Sequence, residues 1–149
     1  MKVNDIVRET AETLREIPYL ANVPVIEESK GDVSKTLEIK VAKSKVAVLV
    51  GWNGFTPKIQ GDTALNGLVG STTIVISIFE KPVVNRVSEN APLILDMAQT
   101  IANELHNCAS EGMDAPLFLK RITPISELRM DKDTSVVTCD VEFETTTSL

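Results

Sequence analysis

The sequence predicts a single α+β domain in which a mixed, mainly antiparallel β-sheet packs with two or three helices. Three features carry this reading. Two amphipathic stretches repeat apolar residues at helical spacing, several short segments alternate or run apolar in the manner of strands, and the last two of those are joined by a short polar turn. A chain of 149 residues supports one core, burying about 68–70% of the surface its unfolded form would expose. Residues 1–149 are therefore expected to form one domain.

The first helix is read from Val3, Ile6, Val7, Leu14 and Ile17, whose spacings of three, four and seven put them on one stripe. Asn4 or Asp5 is expected to satisfy its free amides, and Pro18 stops it. Tyr19 to Ala21 then turns the chain into a strand over Val23 to Glu28, where Pro24 implies an edge or a strand start. Asp32 to Lys43 is ambiguous. Val33, Leu37 and Val41 fit a helix stripe, Leu37, Ile39 and Val41 alternate like a strand, and Asp32 after Gly31 as a cap favours the helix.

Val46 to Val50 is an unbroken apolar run, which suggests a strand covered on both faces. From Gly51 to Gly70 five glycines and Pro57 predict a long loop or a thin hairpin excursion. Thr72 to Phe79 is the clearest central strand, with Ile74, Ile76 and Ile78 on one face and Thr73, Val75, Ser77 and Phe79 on the other.

After Pro82 a polar stretch leads to a second helix with the stripe Leu93, Ile94, Met97, Ile101 and Leu105, and Pro92 fixes its start. Gly112 and Pro116 close that region. Leu117 to Met130 reads as an extended, bent strand with Pro124 at a bulge or edge. Asp131 to Asp133 turns it into Thr134 to Thr146, so the last two strands are expected to pair as an antiparallel hairpin. In the final strand Val137, Cys139, Val141 and Phe143 point inward, and Thr138, Asp140, Glu142 and Glu144 form a wet, acidic face.

The formal charge of -6 opposes attraction to nucleic acid or to anionic membranes, and the few aromatic residues make a base-stacking platform a poor fit. The longest apolar runs fall far short of the roughly 20 residues that span a bilayer. Cys108 and Cys139 lack metal-type spacing, and the polar start of the chain does not resemble a secretory leader. Both thiols are expected reduced and packed as small apolar groups.

No catalytic set is marked. His106 is the single histidine, and its place near a helix end suits a surface or capping role. The glycines between Gly51 and Gly70 match neither a phosphate loop nor a dinucleotide fingerprint, so nucleotide binding is not expected, and no other cofactor or metal site is marked. Trp52 and Phe55 either bury on contact with a partner or pin the segment to its own domain. Asp140, Glu142 and Glu144 are read first as a solvated face, and otherwise as an electrostatic lining or subunit contact.

The order of these elements resembles the tail terminator and minor tail proteins of long-tailed bacteriophages and prophages. The resemblance lies in Ile17-Pro18-Tyr19-Leu20 closing the first helix, the Val23-Pro24-Val25 strand, Gly31-Asp32, and Glu80-Lys81-Pro82-Val83-Val84-Asn85-Arg86 leaving the central strand. It implies a non-enzymatic virion component that forms a ring, usually of six subunits, at the head-proximal end of the tail. Its partners would be other copies of itself, the tail tube and head-completion proteins. By the same likeness, Trp52 to Lys58, with Phe55 between them, and Asn85-Arg86 would lie at subunit contacts. A small enzyme or ligand-binding domain and a monomeric adaptor module are the rival classes.

Overall fold

A computed structural model describes residues 2–28, 45–58, 68–81, 93–109, 113–129 and 135–148. Its elements in chain order are α1 (Val3–Arg15), a 3-10 turn (Pro18–Leu20), β1 (Val25–Glu27), β2 (Val46–Pro57), β3 (Val69–Glu80), α2 (Ile94–Leu105), β4 (Phe118–Ile122), β5 (Ser126–Arg129) and β6 (Ser135–Ser148). The sheet runs β1-β2-β3-β6-β4, and β5 also pairs with β6. Among the described residues only the β1–β2 pair is parallel, so the domain is the expected α+β type with a mixed, mainly antiparallel sheet.

Both helices pack on one face of the sheet. Ile6, Val7, Leu14, Met97, Ile101 and Leu105 from the helices meet the inward residues of β2, β3 and β6, including Ile74, Ile76, Ile78 and Phe143. The alternation read from β3 and β6 is therefore the one that builds the core, although Val137 is only partly buried. On the opposite face Ile26, Ala47, Phe79 and Val136 form a second, smaller apolar cluster, with Leu49 packed against it.

The helix ends differ from the sequence expectation. Lys2, and neither Asn4 nor Asp5, occupies the α1 cap position, and it makes no side-chain cap bond. Leu93 caps α2 from outside the helix and is exposed, so it does not belong to the buried stripe. A buried carboxylate stands in for the missing side-chain cap: Glu80, at the end of β3, accepts the Ile94 N–H at 3.0 Å. Its charge also lies at the positive end of the helix dipole. At the far end of α1, Arg15 bonds buried Glu27 at 3.0 Å and the Val25 carbonyl at 2.9 Å, tying the helix to the outer edge of β1.

The described part of the segment beginning at Gly51 has the hairpin form, one of the two expected. β2 continues to Pro57, and Pro57 pairs with Gly70 across to β3. The register shifts between Trp52 and Phe55, where Gly54 adopts a φ of 106°, a value open to glycine in a bulge. Beyond the bulge the Phe55 ring lies over Gly70, the position where any Cβ would come within 2.7 Å of Phe55 Cζ.

Leu117 to Met130 divides into β4 and β5, with Pro124 in the break between them, and both strands pair with β6. The last hairpin is thus antiparallel as expected. The helix-or-strand question at Asp32 to Lys43, the turn at Asp131 to Asp133 and the Asn85-Arg86 pair all lie outside the described residues.

Candidate functional site

The β4–β5 edge of the sheet is one place where several apolar residues meet solvent. Every residue of these two strands is exposed. Phe118, Leu119, Ile122, Ile125 and Leu128 are each 36–46% open, whereas the inward residues of β3 and the Phe143 ring are at 0%. Exposed apolar side chains gathered along one sheet edge make it a candidate contact surface. Lys120, Arg121 and Arg129 against Glu127 also make this edge basic in an otherwise acidic chain. The sequence reading missed it because these apolar residues neither alternate strictly nor follow a helical stripe.

Backbone geometry at this edge is irregular. The β4 register shifts between Leu119 and Arg121, leaving Lys120 at the irregularity. His106, just past α2, holds β4 in place: its Nδ1 accepts the Leu119 N–H at 3.0 Å, and its ring meets Phe118 edge-on at 5.9 Å. His106 is also the exposed C-cap of α2, as expected, its own N–H bonding the Ala102 carbonyl at 3.1 Å, so the positioning of β4 is added to the capping role. Cys108 has left the helix altogether; it bridges Leu117 through the backbone and is half-buried.

On the sheet face away from the helices an open groove of about 290 Å³ lies across β2, β3 and β6. Leu49 and Val75 give it an apolar floor, while Glu28, Asp140 and Glu142 supply carboxylates and Trp52 contributes to the wall. Two sets of residues singled out separately in the sequence, the hairpin tryptophan and the acidic strand face, thus meet at one place. Glu28 Oε2 accepts the Trp52 N–H at 2.7 Å and fixes that wall. Glu142 is not a plain solvated acid, since its carboxylate lies 3.3 Å from Arg121 Nε and only 16% of its side chain is exposed.

Phe55, Lys58 and Glu144 stand outside the groove. Phe55 is occupied with Gly70, Lys58 is exposed with its N–H on the Val69 carbonyl, and Glu144 takes a hydrogen bond from Ser71. Among the described residues no three His, Cys, Asp or Glu side chains converge as metal ligands, and no helix is long and apolar enough to cross a membrane.

Cys139 lies beneath this face, and its thiol is pushed upward by burial, then by the charge of Asp140, with the Thr123 side chain partly offsetting both. A thiol held neutral is a poor nucleophile. We expect iodoacetamide at neutral pH to label Cys108 before Cys139, as read by intact mass. With the folded-state value raised, the thiol's contribution to stability is complete below the ordinary thiol range and is lost as pH climbs through the folded value. Thermal melts should show this loss in the alkaline limb, and Cys139→Ser should diminish it.

No protein-family model and no characterised protein sequence matches this chain.

Proposed function

We propose that the protein is a non-enzymatic assembly subunit, a tail terminator or tail completion component of a long-tailed phage that works by closing into a homo-oligomeric ring. The observation that supports the assembly reading is the β4–β5 edge, where five large apolar side chains stand open to solvent beside a basic rim. The phage reading rests on the resemblance carried by residues 17–20, 23–25 and 80–86. In this role the subunit is made in the bacterial host cytoplasm and ends in the virion tail, against the tail tube and the head-completion proteins.

Catalysis plays no part in this account. A ring subunit needs a stable sheet and directional surfaces, and heterologous contacts between identical copies generate a ring whenever the rotation closes. Light scattering on the purified protein should give a mass that is a multiple of the 16.2 kDa chain and that grows with concentration to a fixed limit. A monomer at high concentration, with or without a tail tube partner, overturns the reading.

A further inference from the structure

We propose that copies of this chain associate head to tail, with the basic, apolar β4–β5 edge of one copy seated in the acidic groove of the next. The inference rests on the assembly reading above and names the two surfaces that meet.

Charge decides the occupant. The segment Phe118–Arg129 holds three basic residues and one acidic residue within a chain of net charge -6. Its complement is an acidic surface, and the same molecule presents one in the groove bearing Glu28, Asp140 and Glu142. The two surfaces match in composition as well. Leu128 and Arg129 are neighbours on exposed β5 and so point to opposite faces of the strand, which offers Leu128 to the Leu49–Val75 floor and leaves Arg129 for a carboxylate at the rim. Arg121 is already engaged with Glu142 of its own chain, so Lys120 and Arg129 are the cations that reach the neighbour.

The same features disfavour a two-fold contact between two such edges. That arrangement would set Lys120 and Arg129 of one copy against the same cations of the other. The irregularity at Lys120 and the missing N–H of Pro124 also spoil the edge as a template for strand addition. Contact through side chains, between two different surfaces of identical copies, avoids both problems and gives the association a direction.

Charge reversal tests this in the full chain, with circular dichroism confirming that each variant is folded. Lys120→Glu with Arg129→Glu disables the edge, and Asp140→Lys disables the groove. Each should weaken self-association at least ten-fold by sedimentation equilibrium. An equimolar mixture of the edge and groove variants should stop at a heterodimer, because one intact edge then finds one intact groove. Wild-type protein that assembles while both reversals leave association unchanged overturns the docking scheme alone, as does an equimolar mixture of the two variants that associates no more than either variant by itself. A wild-type monomer overturns both this scheme and the assembly reading.

Discussion

Phe143→Ala should cost about 3–5 kcal/mol of folding stability, the range for removing a large buried ring from a core that only partly collapses around the hole. Phe143 is at 0% exposure on β6, opposite Ile74 of β3 and Leu119 of β4, and so sits where the central sheet meets the edge strand. Losing it removes packing from the core and from beneath β4 together. In a domain of this size about 1 kcal/mol moves the melting point by roughly 2–4 °C, so a fall of roughly 10 °C is expected. Calorimetry with Phe143→Leu as the milder control checks this, and a shift of only a degree or two would mean that the ring is not packed as described.

Gly70→Ala should be nearly as damaging, although it adds a single methyl group. The new Cβ would collide with the Thr56 carbonyl oxygen and come within 2.8 Å of Pro57 Cα and 2.7 Å of the Phe55 ring. Two of these neighbours are backbone, so relief requires the outer part of the β2–β3 hairpin to separate. The cost is on the order of 3 kcal/mol, at the upper end of overpacking effects. Hydrogen exchange should localise the damage, with faster exchange at Lys58, whose N–H bonds the Val69 carbonyl. Protection unchanged there would contradict the close pairing of Phe55 with Gly70.

These two positions illustrate what sequence patterns carry and what they omit. Phe143 was legible because β6 alternates strictly, and a period of two on a strand with one buried face dictates which side chains point inward. β3 was legible for the same reason, through Ile74, Ile76 and Ile78. Gly70 was not legible, since its role depends on a partner across the hairpin. Glycines left a long loop and a hairpin both open; backbone pairing is satisfied without side chains, and here they accommodate a bulge at Gly54 and a ring at Gly70.

The helix termini were misread for a related reason. Asn4 and Asp5 are good caps by type, but the cap of α2 is supplied by Glu80, fourteen residues before Ile94 in sequence and brought there by the sheet. The candidate contact surface was legible only in part. Asp140 and Glu142 followed from alternation and Trp52 from its isolation, but their meeting in one groove depends on strand order. The β4–β5 edge escaped because exposure of apolar residues is a property of what the fold leaves uncovered.

The central claim is that this molecule works by contact between its own copies. Sedimentation equilibrium of the purified wild-type chain, run from low micromolar concentration to the highest attainable, tests it most directly. The account predicts a reversible rise from the 16.2 kDa chain to one closed assembly, weakened by added salt as expected for opposed charges. A single species of 16.2 kDa mass across the whole range, unmoved by salt, would contradict it.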